Sequence, residues 1–291
     1  MREQRSGWRT SRRVIPLGER TLVMGILNVT PDSFSDGGRF FSVNRALAHA
    51  RRMIDDGADI IDVGGESTRP GSDPVPTEEE LQRVVPVIEH LVEHFETPIS
   101  VDTTKVEVAR AALAAGAEII NDISGLRFDR RLADEAARVG AGLVLMHSRG
   151  QRATLHAQPP VADIFTEVCA GWRWSIAEAE RSGVARASIV LDPGIGFGKT
   201  LEQNVALVAL LDRLAAQFSD FPMLIGTSRK SFIGHLLDGA PVDQRLHGTM
   251  ATIAVAVFLG AEIVRVHDVR AAVETARIAA ALRRARLSAG A

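Results

Sequence analysis

One cysteine, Cys169, stands in a chain of 291 residues. That excludes an internal disulfide, and with no clustered Cys/His spacing and no HExxH it leaves no zinc signature. A reducing, cytoplasmic compartment fits such cysteine usage. No apolar run reaches the roughly eighteen residues of a membrane-spanning helix. The opening MREQRSGWRTSRRV is basic and lacks the apolar stretch of a secretory signal. A net charge of -2 points away from nucleic acid and from anionic membrane as partners. Lysine is scarce: of 34 Lys plus Arg, only Lys105, Lys199 and Lys230 are lysines. No GxGxxG follows the first apolar run, so a doubly wound dinucleotide fold, the second choice of architecture, lacks its main signature.

What is present is a repeated phrase. It reads GADIID at Gly57 to Asp62, GAEIIN at Gly116 to Asn121, GAGLVL at Gly140 to Leu145 and GAEIVR at Gly260 to Arg265. Each glycine stops a helix and each Ile/Val/Leu run is a buried strand. In three copies the sixth residue is polar: Asp62, Asn121 and Arg265. Four more strands fit between, at Thr21 to Leu27, Ile99 to Val101, Ile189 to Leu191 and Met223 to Ile225. Apolar stripes of helical period separate them. One is Leu81, Val84, Val85, Ile88, Leu91, Val92 and Phe95, with Thr77 and Glu80 as its capping box; another is Val205, Val208, Leu211 and Leu214. Eight strand–helix units predict a single (β/α)8 TIM barrel over 13–291, preceded by a flexible basic arm over 1–12.

The strand ends carry the chemistry. MGILNVTPDSFSDGG, Met24 to Gly38, begins as a buried strand and becomes a polar loop longer than a connection needs. Asn28, Asp62, Asp102, Asn121, His147, Asp192, Ser228 with Lys230, and Arg265 with His267 all close a predicted strand. In a barrel they face one bowl, where such folds keep their active sites. Carboxylates, an amide and an ammonium suit a flat heterocycle with a guanidine-like edge. Arg265 and His267 lie where barrels often hold phosphate, and Asn28 with its acidic loop could orient Mg2+.

Seven motifs in order carry a resemblance: the Met24 to Gly38 run, DVGGESTRPG (Asp62 to Gly71), SVDTTK (Ser100 to Lys105), INDISG (Ile120 to Gly125), LDPGIGFGKT (Leu191 to Thr200), GTSRKSFIG (Gly226 to Gly234) and RVHDV (Arg265 to Val269). Together they resemble the dihydropteroate synthase family, the folate-pathway target of sulfonamides. The resemblance implies condensation of 7,8-dihydropterin-6-ylmethyl diphosphate with 4-aminobenzoate, with Mg2+ as cofactor. It implies Asp102, Asn121, Asp192 and Lys230 around the pterin, with Met146 and Phe197 packed near it. Asn28, Arg265 and His267 would hold diphosphate and metal. Thr68, Arg69 and Pro70 would come from a second mobile loop and Asp36 from the first, with catalytic roles for Asp36, Thr68, Arg69 and Lys230. Ser231, Arg69 and Pro70 would receive the aminobenzoate. The stretch Ser148 to Pro160 departs from the family pattern.

Those residues suit a dissociative substitution in which the electron-rich dihydropterin spreads positive charge and closing loops exclude water. Two other readings compete: a pterin-dependent methyltransferase-like barrel, against which Ser228-Arg229-Lys230 argues, and a non-catalytic pterin-binding paralogue. Met250, Ile253, Ala254, Val255, Val257 and Phe258, with Ala251 and Ala256, offer more than one apolar helix face. With the resemblance, that predicts a homodimer.

Overall fold

The computed structural model describes residues 7–29, 38–67, 72–155 and 157–289. The chain opens with a small antiparallel pair, β1 (Gly7–Arg9) and β2 (Val14–Pro16). The barrel strands follow: β3 (Leu22–Asn28), β4 (Ile60–Gly64), β5 (Ile99–Asp102), β6 (Ile119–Asp122), β7 (Gly142–Met146), β8 (Ile189–Asp192), β9 (Leu224–Ile225) and β10 (Ile263–Val266). Between and after them run α1 (Gly38–Asp55), α2 (Thr77–His94), α3 (Val106–Ala114), α4 (Arg131–Val139), α5 (Ile164–Arg181), α6 (Leu201–Ala209), α7 (Leu211–Gln217), α8 (Ser231–Leu236), α9 (Leu246–Leu259) and α10 (Val269–Ala289). The eight strands pair in parallel in the order β8-β7-β6-β5-β4-β3-β10-β9, and a bridge from Leu191 to Met223 closes the ring. This is the (β/α)8 barrel that the repeated phrase requires. Its four glycines all take positive φ, from +70° at Gly140 to +120° at Gly260, a backbone that only glycine adopts cheaply at a helix end.

Strand alternation builds the site. Successive side chains point to opposite faces, so Val23, Leu27, Ile61, Val63, Val101, Ile120, Leu143, Leu145, Leu191 and Val264 pack outward into the large core shared with the helices. Leu22, Met24, Ile60, Ile119, Val144, Val190, Leu224 and Ile263 form a separate inner core. Two residues further along the same strands, the inward positions become Asp62, Asn121, Met146, Asp192 and Arg265. The lower barrel is therefore apolar and the upper barrel polar.

Part of the segment read as a flexible arm is built into the fold. Trp8 is fully buried in the inner core with Ile15 and Leu17. Its indole Nε1 donates to Ser188 O at 2.8 Å. Glu118 accepts from Thr10 Oγ1 at 2.7 Å and from Arg13 Nε at 3.1 Å. The boundary at residue 12 fails because a barrel needs its lower mouth filled, and β1–β2 fills it; residues 1–6 lie outside the described residues. The capping box at Thr77 fails too: the side chain of Thr77 caps nothing and Pro76 is the N-cap, because Glu80 is drawn inward to Lys105. The stripe from Val205 to Leu214 spans two short helices with a break at Leu210, and Val205 is exposed. No described helix is long and apolar enough to cross a membrane.

Candidate active site

The three polar sixth residues of the repeated phrase meet. Asn121 Nδ2 donates to Asp62 Oδ2 at 2.9 Å, and Arg265 Nε donates to the same oxygen at 2.6 Å. Arg265 Nη2 then reaches Asp102 Oδ2 at 2.6 Å. Their order around the sheet explains this: β10 pairs β3, β3 pairs β4, β4 pairs β5 and β5 pairs β6, with Asp102 opposite Asn121. Burial pushes the Asp102 carboxyl up to about 7 against the pull of Arg265, with Asp62 adding to the rise. Arg265 is itself desolvated, but Asp62 and Asp102 outweigh that and strengthen its hold on its proton. Asp62 Oδ1 and the neighbouring Ser100 Oγ are buried without hydrogen-bond partners among the described residues, an unmet demand that a water or a ligand's polar edge would satisfy.

Asp192 stands across the bowl at the end of β8. Its Oδ1 accepts Gly194 N at 2.6 Å, and burial raises its pKa above the usual carboxylate range despite that bond and Lys230. Lys230 precedes α8 and places Nζ 4.0 Å from the centroid of the Phe197 ring, a cation–π contact. Burial, then repulsion by Arg265, lowers the Lys230 ammonium to about 8 against Asp192 and Asp102. Phe197 packs with Met146, Ile123 and Leu155 in a small apolar cluster beside these charges. The bowl thus offers an apolar wall for a flat ring and charged groups at its edge.

The rim is oxygen- and nitrogen-rich. A Cβ placed at Gly64 would lie 3.7 Å from both Asn28 Oδ1 and Asp102 Oδ2, so a glycine there lets the side chains at the ends of β3 and β5 come close. Ser228 Oγ lies 3.0 Å from His267 Nδ1 and accepts His267 N at 3.2 Å, which fixes the imidazole. Asn28 and His267 also line a cavity of about 460 Å³ with Arg45, His49 and Arg52 of α1. Ser231 opens α8, a helix of six residues. Asp36, Thr68, Arg69 and Pro70 lie outside the described residues. Among the described residues, the one His/Asp/Glu group with metal-like mutual spacing is His90, Glu93 and His94, on the surface of α2 and not in the bowl.

Two contributions were not assigned from sequence. Asp62 is the common acceptor of Asn121 and Arg265; its position as a sixth residue was visible, its role was not. Lys199 donates to His147 O at 3.2 Å, Gly194 O at 2.8 Å and Phe197 O at 3.1 Å. It thereby folds the LDPGIGFGKT loop so that Phe197 lies in the wall.

A family model for pterin binding enzymes matches residues 24–267, the span that contains every bowl residue above. A dihydropteroate synthase of Synechocystis is 48% identical over 91% of this chain and 91% of its own length. The chain belongs to the dihydropteroate synthase family. The Escherichia coli K12 synthase is 50% identical over 88% of the chain and 89% of its own length. Solved synthases superpose closely. One from Clostridium difficile, crystallised in the presence of pteroic acid, has a TM-score of 0.86 at 45% identity, covering 91% of this chain and 98% of that one. One from Xanthomonas albilineans with 4-aminobenzoic acid has a TM-score of 0.87 at 44% identity, covering 95% and 98%.

Proposed function

We infer that this chain condenses 7,8-dihydropterin-6-ylmethyl diphosphate with 4-aminobenzoate, giving 7,8-dihydropteroate and diphosphate in folate biosynthesis. The observation that carries the reading is the grouping of Asp102, Asn121, Asp192 and Lys230 around one bowl with an apolar wall, in a chain of this family. The aniline nitrogen forms a bond to the methylene carbon, the bond from that carbon to the diphosphate oxygen breaks, and the nitrogen loses a proton.

In this reading Asp192 and Asn121 grip the polar edge of the pterin, and a carboxylate matches an amine-bearing ring bidentately. Phe197 and Met146 hold its faces. Lys230 adds a donor whose ammonium Phe197 orients. Asp102 and Asp192 lie where positive charge would develop on the ring during departure of diphosphate, and fixed anions there favour that transition state. Arg265 and His267 at the end of the last strand take the departing anion, with Arg265 held ready by Asp62 and Asp102. The family resemblance assigns catalytic roles to Asp36, Thr68 and Arg69 and aminobenzoate binding to Arg69 and Pro70, and in this reading Ser231 receives the aminobenzoate carboxylate.

The residues fit Mg2+. Asn28 carries a hard amide oxygen at the end of β3, and with the oxygens of a diphosphate it makes the all-oxygen donor set this ion prefers. When bound there it would neutralise charge on the diphosphate.

The dimer belongs to the same proposal, on a narrower face than the sequence indicated. Ile253, Ala256 and Val257 of α9 are buried against the barrel. Ala254, Val255 and Phe258 instead line an apolar groove with Ile278 and Leu282 of α10, of which Val255, Ile278 and Leu282 are 46%, 64% and 59% exposed. A second copy covering this groove is the homodimer we propose, in a cytoplasmic enzyme.

Calorimetry with a non-reacting pterin tests the site. Removing one partner of a buried charged hydrogen-bonded pair costs about 2–5 kcal/mol, so Asp192→Ala is expected to abolish measurable binding while circular dichroism keeps its native form. Near-normal affinity in that variant would contradict the assignment.

A further inference from the structure

The last two motifs, GTSRKSFIG and RVHDV, each contain a charged residue that the proposed reaction does not use: Arg229 and Asp268. They are partners. Arg229 Nε donates to Asp268 Oδ2 at 3.0 Å and Nη2 donates to Oδ1 at 2.6 Å, a two-point pairing that fixes orientation as well as distance. Each partner adjoins the site. Arg229 lies between Ser228 and Lys230, and Asp268 follows His267. Ser228 Oγ in turn lies 3.0 Å from His267 Nδ1 and accepts His267 N at 3.2 Å. The loop after β9 and the loop after β10 are thus joined at two consecutive positions, through Ser228 with His267 and through Arg229 with Asp268.

The backbone bends to allow this. Arg229 has a φ of +58°, a left-handed conformation that is uncommon outside glycine and persists only where its surroundings impose it. Three bonds impose it here. Thr249 Oγ1 of α9 accepts Arg229 N at 3.0 Å, Arg245 Nη1 donates to Arg229 O at 3.1 Å, and Lys230 N donates to Thr227 O at 3.2 Å. None of the three uses the Arg229 guanidinium. The turn that presents Lys230 is therefore held without that group. What the guanidinium adds is a grip on Asp268, one residue beyond His267.

We propose that Arg229 and Asp268 are a positioning pair for the diphosphate end of the site. Arg229, acting through Asp268, sets His267 in place and does not itself touch substrate. The proposal rests on the functional reading above, in which His267 and Arg265 take the departing anion. A direct anion contact by Arg229 makes the opposite forecast for one variant. Asp268→Asn removes a negative charge beside an anion site and frees the guanidinium, so direct contact would tighten diphosphate binding. A positioning role weakens it, because misplaced groups lose binding and rate steeply.

Calorimetry on the full chain tests it, with inorganic diphosphate plus Mg2+ as one ligand and a non-reacting pterin as the other. Arg229→Ala and Asp268→Asn are each expected to weaken diphosphate binding about tenfold, with pterin affinity within about twofold of the parent. Tm is expected to stay within about 3 °C, since a partly exposed ion pair adds little stability. Exchanging the pair, Arg229→Asp with Asp268→Arg, is expected to recover part of the loss, because aspartate also tolerates a left-handed backbone. Diphosphate affinity that is unmoved or tighter in Asp268→Asn overturns this role. Equal losses for diphosphate and pterin overturn it too. With a parent that turns over both substrates, either result leaves the functional reading standing. A parent that turns over neither overturns that reading and this role with it.

Discussion

Lys230 shows how one residue joins burial, charge and function. Its ammonium is lowered to about 8, first by burial and then by Arg265. A lowered lysine loses its charge earlier as pH rises, so a contact that needs the ammonium is complete below about 8 and fails above it. Affinity for a non-reacting pterin should therefore fall as pH rises through about 8. Lys230→Arg stays charged across that range and should lose the alkaline fall, even where its affinity is lower. The ligand's own titration is common to both proteins, so the difference between their pH profiles isolates the side chain. Identical alkaline limbs would remove Lys230 from pterin binding. At this scale the sequence was partly legible. Asp102, Asn121, Asp192 and Arg265 stood at strand ends, and motif order implied their roles. That Asp62 would bind Asn121 and Arg265 on one oxygen depends on strand order around the closed barrel. Lys199 makes three bonds to carbonyls of its own loop or of the β7 end, and nothing in its sequence neighbourhood distinguishes that from a surface lysine.

Elements were legible where period and punctuation agreed. All eight barrel strands lie where apolar runs follow a helix stop or precede a polar residue, since alternation and the phrase glycines report the same boundaries. The misses came from tertiary demand. Glu80 caps nothing because Lys105 needs it inside. β1–β2 reads as a basic arm because its anchoring apolar residues, Trp8, Ile15 and Leu17, are scattered among arginines, and only the barrel's lower mouth makes them a core. The hairpin's importance is measurable. Trp8 is fully buried and its Nε1 bonds Ser188 O. Replacing a core tryptophan by alanine costs about 3–5 kcal/mol. Trp8→Ala should lower the urea unfolding free energy by about that amount. A loss of under about 1 kcal/mol, the scale of a surface change, would return the hairpin to the status of an arm.

At the scale of the whole molecule, the described residues set an apolar end to the barrel, a polar bowl and, on its outside, an apolar groove. The groove lies between α9 and α10, on the outside of the barrel wall. A contiguous exposed apolar surface of this kind marks an interaction site more often than an idle one. Light scattering at micromolar protein should give twice the chain mass, and Ile278→Glu should give a monomer that still binds pterin. A monomeric parent would contradict the dimer and leave the bowl untouched. The bowl itself carries the central claim, that this barrel joins a pterin to an aromatic amine with loss of diphosphate. The most direct measurement mixes the purified chain with Mg2+, 7,8-dihydropterin-6-ylmethyl diphosphate and 4-aminobenzoate, and follows diphosphate and product together. The account predicts one diphosphate released for each 7,8-dihydropteroate formed, with both signals absent when aminobenzoate is withheld and in Asp192→Ala. Diphosphate released without product, or neither formed with both substrates present, would contradict it.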